Sequence, residues 1–157
     1  MRLIISAFSV FVFSFAQAQS LSQALVDVQL SPTGSFEIQG TIHGSVQKKG
    51  EILTASDLKF LVRSLETGMD LRNKHTKEKL GSSYVEVPKA VAKDGKGKAN
   101  IVINGIKKKV PFSYEDKGKS VLVNFDLSLS DFGIEGIRYM GIGVVDKVGI
   151  RANLPLK

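Results

Sequence analysis

The 157-residue chain contains no cysteine and no tryptophan. Without cysteine there is no disulfide framework and no attachment point for the lipid anchor of a bacterial lipoprotein. Histidine is nearly absent too: His43 and His75 have no neighbours at metal-ligand spacing, so no metal site is expected. No Gly-x-Ser-x-Gly elbow or comparable context frames a nucleophile, so no catalytic residue and no enzyme activity are expected. The glycine-rich Met140-Gly141-Ile142-Gly143 is not followed by a helical pattern. It therefore does not read as a nucleotide loop and suits a tight bend or bulge instead. Internal repeats, low-complexity tracts and linkers are all missing. The length is that of one domain with a real core, and no cofactor is implied.

Only one long apolar run exists, at the N-terminus. Arg2 is followed by Leu3 to Phe15 and then Ala16-Gln17-Ala18. A positive start, an apolar stretch and an Ala-x-Ala end are the parts of a secretory signal peptide cleaved after Ala18. The run is short for a transmembrane helix, and no second span follows. Residues 1–18 are therefore set apart from a single domain at 19–157. Export without disulfides fits a bacterial envelope, and a periplasmic location is expected. Loss of Arg2 leaves 21 basic against 15 acidic side chains, a net charge of +6. In that compartment a basic protein meets anionic membrane surfaces before nucleic acid, so transient membrane contact is the expected partner relation. The charges are spread along the chain, which suits solubility.

Most of the remainder alternates apolar and polar residues with the period of a strand having one buried face. Ala24, Val26, Val28 and Leu30 share a face, and Ser31-Pro32-Thr33-Gly34 turns the chain. Phe36, Ile38 and Ile42 follow, and Lys48-Lys49-Gly50 turns again. A third strand, about Ser56 to Leu65, carries Leu58, Phe60 and Val62 on one side. Tyr84 to Ala92 is extended but has apolar residues on both faces, and Pro88 marks it as an edge or a bulge. Lys93 to Gly97 reads as a loop. Asn104-Gly105, between Ile101, Ile103 and Val110, Phe112, Tyr114, is a type I′ hairpin signal. Val121, Val123, Phe125, Leu127 and Leu129 form the next strand, and Val148, Ile150, Ala152 and Leu154 the last.

The rhythm stops at Ser64-Leu65-Glu66-Thr67-Gly68-Met69-Asp70-Leu71-Arg72-Asn73-Lys74-His75. From Leu71 to Leu80 the chain is rich in Lys, Arg and Glu, which suit a helix. Asp70 is placed as its N-cap, Lys77 and Lys79 suit its C-terminal dipole, and Gly81 suits the C′ position. With only Met69, Leu71 and Leu80 to bury, this helix is expected to lie over an opening. The whole is all-β: an eight-stranded antiparallel up-and-down, lipocalin-like barrel with one short helix between strands 3 and 4. A two-sheet sandwich predicts the same alternation.

Three stretches resemble the YceI-like family of bacterial periplasmic, lipocalin-like proteins. They are Ser64 to His75, the hairpin Ile101-Val102-Ile103-Asn104-Gly105-Ile106-Lys107-Lys108-Lys109-Val110-Pro111-Phe112, and Leu127 to Ile134 continued by Tyr139 to Val148. They fall in the family's order across Leu58 to Leu154. The N-terminal part departs from the pattern: the family opens with an Asp-Pro-x-His-Ser type motif, and this chain has Val28 to Phe36. The resemblance implies a barrel whose interior holds a long isoprenoid chain or similar lipid.

The lining is then the in-facing set Phe36, Ile38, Ile42, Phe60, Val62, Ile101, Ile103, Phe112, Phe125, Leu127, Val148 and Ile150, with Gly40 and Gly44 leaving room. The expected ligand is a polyisoprenoid, quinone or fatty-acyl chain, bound by a non-enzymatic carrier. Periodicity alone equally allows a filled barrel, an envelope stress or interaction protein acting through its basic exterior. Lys107, Lys108 and Lys109 read as a solvated hairpin that guards against edge association, although an inward Lys108 could meet an anionic headgroup. Asp70, Arg72 and Lys74 are placed to touch one as well.

Overall fold

A computed structural model describes residues 22–139 and 141–157. The expected signal peptide, and Met140 of the expected rim bend, lie outside the described residues. Among the described residues eleven strands form in chain order: β1 (Gln23–Ser31), β2 (Ser35–His43), β3 (Gln47–Lys49), β4 (Ile52–Leu61), β5 (Tyr84–Lys93), β6 (Lys96–Ile103), β7 (Ile106–Asp116), β8 (Ser120–Ser128), β9 (Arg138–Tyr139), β10 (Ile142–Val144) and β11 (Lys147–Pro155). The helix α1 (Asp70–Leu80) lies between β4 and β5. Eight long strands pair in the order β1–β2–β4–β5–β6–β7–β8–β11, and β11 pairs with β1 to close the ring. This is a closed antiparallel barrel, which removes the exposed edges a sandwich would keep.

Tight turns fix the registers. Asn104 and Gly105 both take positive φ, 52° and 74°, as a type I′ turn requires. The segment expected as a loop at Lys93 to Gly97 is a second such hairpin. Asp94 and Gly95 alone make the turn, at φ 55° and 82°, and Lys96 already begins β6.

Two strands change phase halfway. Along β4, Leu53 and Ala55 face inward, then Leu58 and Phe60; along β5, Val85 and Val87 face inward, then Ala90 and Ala92. Both slips occur at one level, at Asp57, whose φ is +52°, and at Pro88, which has no N–H for the ladder. The β5–β6 register shifts at the same place. This is why β5 shows apolar residues in both parities, and why β4 starts four residues before its expected beginning at Ser56.

Two seams of the barrel splay, and each splay holds a 3-10 turn. β2 pairs with β4 only at Ile42↔Phe60 and His43↔Lys59. Beyond that, the turn Val62–Ser64 and Glu66 take over, with Thr41 N donating to Ser64 Oγ (2.9 Å) and a two-way backbone bridge between Gln39 and Glu66. β7 and β8 pair only from Ser113↔Asn124 to Asp116↔Val121. Past Ser113, the turn Leu129–Phe132 packs beside β7 and buries Phe132. The Asp146 carboxylate accepts from Ser130 N (2.7 Å) and Ser130 Oγ (3.0 Å), anchoring that turn.

Candidate functional site

The barrel is hollow. Its cavity has a volume of about 680 Å³, within the range of small-molecule sites. Eleven of the twelve expected lining residues face it: Phe36, Ile38, Ile42, Phe60, Ile101, Ile103, Phe112, Phe125, Leu127, Val148 and Ile150. Val62 does not. It is buried, but β4 ends at Leu61 and the 3-10 turn takes Val62 out of the alternating phase.

The room inside comes from alanines. Ala24 lies opposite Ala152, and Ala55, Ala90 and Ala99 form one row across three strands, all lining the cavity. Their in-phase positions at Ala24, Ala99 and Ala152 were the signal available in the sequence. The expectation that Gly40 and Gly44 leave room is corrected. An added Cβ on Gly40 would lie 2.2 Å from Phe60 Cζ, and one on Gly44 2.4 Å from Leu58 Cδ2, so both spaces are filled.

One end of the cavity is closed by Val46, Leu53, Val121 and Leu154, with the Lys48–Asp116 ion pair (2.8 Å) tying β3 to β7 outside it. The Asp116 hydrogen bond raises the Lys48 pKa. The Lys48 ammonium, together with the Gly118 N–H, lowers that of Asp116. The other end is a mouth bounded by α1 and by Gly136, Ile137, Arg138, Ile142 and Val144. Met69, Leu71 and Ile142 line it while remaining 53%, 49% and 45% exposed, so its lip is apolar.

The helix lies over this opening as expected, but its N-terminus is built differently. Met69, not Asp70, is the N-cap residue, and no side chain caps there. The seat is a network one turn wide instead. Asn73 Oδ1 accepts from Thr67 N (2.8 Å) and Thr67 Oγ1 (2.6 Å), both buried. Asn73 Nδ2 donates to Glu66 Oε1 (3.0 Å), which also accepts from Gly68 N (2.7 Å). These bonds, the Asn73 amide first and the Gly68 N–H second, hold the Glu66 carboxyl below the ordinary glutamate range. Gly81 ends the helix at φ 62°, with its N–H donating to Lys77 O.

Among the described residues, charge reaches the cavity only at the mouth. Arg72, Lys79 and Arg138 line it there, with His75 and Glu78. The Arg72 guanidinium stacks 4.2 Å from the Phe36 ring centroid, and Nη1 donates to Thr67 O (3.5 Å). Asp70 and Lys74 are not in the lining, and neither is Lys108. Lys108 pairs with Ile101 in the inward phase, but β7 and β8 have parted at that level and it is exposed to solvent. His43 is exposed at the end of β2. No cluster of metal-ligating side chains is found among the described residues.

The lysines are not evenly spread. Lys89, Lys93, Lys96, Lys98, Lys107 and Lys109 share the outer face of β5–β7, alternating with the inward residues Ala90, Ala99, Ile101 and Val110. Lys93 directly faces Lys96, and no ion pair among the described residues involves any of the six.

No family model and no curated protein matches the chain. Solved structures do. A polyisoprenoid binding domain from Saccharophagus degradans, implicated in plant cell wall breakdown, aligns with a TM-score of 0.56 at 11% identity. That alignment covers 85% of this chain and 97% of that one. BcnA from Burkholderia cenocepacia aligns with a TM-score of 0.60 at 12% identity, covering 85% and 96%. The chain therefore has the lipocalin-like fold that the YceI-like resemblance implied.

Proposed function

We propose that the protein is a carrier of a long apolar lipid, holding the chain in its barrel and performing no chemistry on it. The observation that carries this reading is the alanine-lined apolar cavity of about 680 Å³, open at one end. Each methylene moved out of water contributes ~0.8 kcal/mol, so an acyl or isoprenoid chain binds without any reactive group. The fold shared with a polyisoprenoid binding domain supports the same ligand class. The apolar stretch and Ala-x-Ala of residues 1–18 support a periplasmic location, where such lipids must cross water between membranes. The lip of Met69, Leu71 and Ile142 suits brief contact with a membrane during loading.

Native mass spectrometry of protein purified from a bacterial envelope tests this. A bound mass that organic extraction identifies as an isoprenoid, quinone or acyl lipid is the expected result. A bare mass that persists after incubation with such lipids would sink the reading. The function would then rest on the lysine face of β5–β7, a surface that favours an interaction role.

A further inference from the structure

The cavity is apolar along its depth and cationic at its mouth, and this asymmetry selects a ligand. Arg72, Lys79 and Arg138 face one carboxylate, Glu78, among the residues lining the opening. None of the three cations takes part in an ion pair among the described residues. Arg72 is also held in position. Its guanidinium lies over Phe36, itself part of the lining, and its hydrogen bond goes to the carbonyl of Thr67, which the buried Asn73 network locks. A carboxylate or phosphate cannot follow its chain into an apolar barrel without a large desolvation cost. It must stay at the mouth, where low-dielectric walls focus the field of these cations.

We propose that the mouth is a headgroup site for an anionic, single-chain lipid, with a carboxylate or phosphate held by Arg72, Lys79 and Arg138 and the tail in the barrel. This rests on the carrier reading above.

The experiment is calorimetric titration of the delipidated protein with four probes: oleate, oleamide, farnesyl phosphate and farnesol. At low salt, oleate is expected to bind about tenfold more tightly than oleamide, farnesyl phosphate likewise more tightly than farnesol, and both gaps should close as salt is raised. A gap in only one pair names the headgroup as carboxylate or as phosphate. An Arg72→Gln/Lys79→Gln/Arg138→Gln triple variant that unfolds at the wild-type temperature should lose the gap. A gap that survives in this variant overturns the assignment to these residues. Equal affinities within both pairs for the wild type overturn the headgroup site and leave the carrier standing. No binding of any probe overturns the carrier reading itself. The salt titration needs no variant, so the test holds even if the triple substitution disturbs α1.

Discussion

Phe60 packs over Gly40 so closely that a Cβ on the glycine would lie 2.2 Å from the ring's Cζ. Phe112 covers Gly97 in the same way, at 2.4 Å, across a direct register pair. Laying an aromatic ring over a strand glycine protects the exposed backbone and keeps the ring against the wall. Both rings line the cavity without filling it.

The two glycines should respond differently to alanine. At Gly40 only the far end of Phe60 is in the way, and that ring can swing into the lumen. Gly40→Ala should leave the unfolding temperature close to wild type and weaken binding of a long-chain probe. At Gly97 the Val91 carbonyl oxygen at 2.5 Å and Ala92 Cβ at 2.6 Å obstruct as well, and backbone cannot move aside. Gly97→Ala should cost about 1–3 kcal/mol in denaturant titration. Equal effects on stability would contradict this reading of the wall.

Filling the alanine rows should shorten the chain the barrel accepts. Ala152→Phe places a ring where Ala24 and Ala152 now face each other. Because both alanines line the cavity, the ring has the lumen to enter and the fold should survive. The longest fatty acid taken up fully should drop by roughly six carbons, the size of the added ring. A series of saturated acids, compared by titration, measures this. An unchanged length profile would show that the chain does not reach that depth.

Asn73 is the residue on which the seat of α1 turns. Asn73→Ala leaves the buried Thr67 N–H without its acceptor and the Thr67 hydroxyl with only the longer contact to Met69 O (3.3 Å), a loss of about 1–3 kcal/mol. The loss should fall on the helix, so amide exchange across 70–80 should quicken while that of β6 and β7 stays slow. Uniform acceleration would mean that the helix and barrel unfold as one unit.

Acid should loosen the same seat. Glu66 has a lower pKa folded than unfolded, chiefly through the Asn73 amide and then the Gly68 N–H. Its stabilising contribution is therefore complete above the ordinary glutamate value of about 4.3 and lost as pH falls through the depressed folded value. Exchange in α1 should rise in that acid range in the wild type and change less in Glu66→Gln. Asp116, lowered by Lys48, loses its contribution in the same direction at the opposite end of the barrel.

The lysine face should bind anionic vesicles weakly and in a salt-dependent way. Six exposed lysines without carboxylate partners contribute up to about 1 kcal/mol each near such a surface, and a Debye length of ~8 Å at physiological salt screens most of it. Replacing Lys89, Lys98 and Lys109 by glutamine should abolish co-sedimentation with phosphatidylglycerol vesicles at low salt. Persistence of binding in that variant would place the contact elsewhere, the lip of Met69, Leu71 and Ile142 being the next candidate.

What could be read from the residues followed from periodicity. Strands with an unbroken two-residue rhythm, such as Val121 to Leu127 and Val148 to Leu154, show their inward face directly, and Asn104-Gly105 announces its own turn. Periodicity fails where it is interrupted. The slips at Asp57 and Pro88 reverse the inward parity halfway along two neighbouring strands, and the turn at Val62 ends a strand that the pattern continues. Nor does alternation say whether an interior is full. That depends on how alanines from different strands come opposite one another, which only register reveals. The cations at the mouth were the least legible, since Arg72, Lys79 and Arg138 are brought to one opening by tertiary structure and share no spacing.

The ring of strands is a belt with a buckle. Where β2 and β4 part, the Gln39–Glu66 bridge and the Ser64 hydroxyl fasten the wall, and the same Glu66 anchors the helix above it. Helix and wall are thus fastened together by one small set of hydrogen bonds, all of them on this single seam.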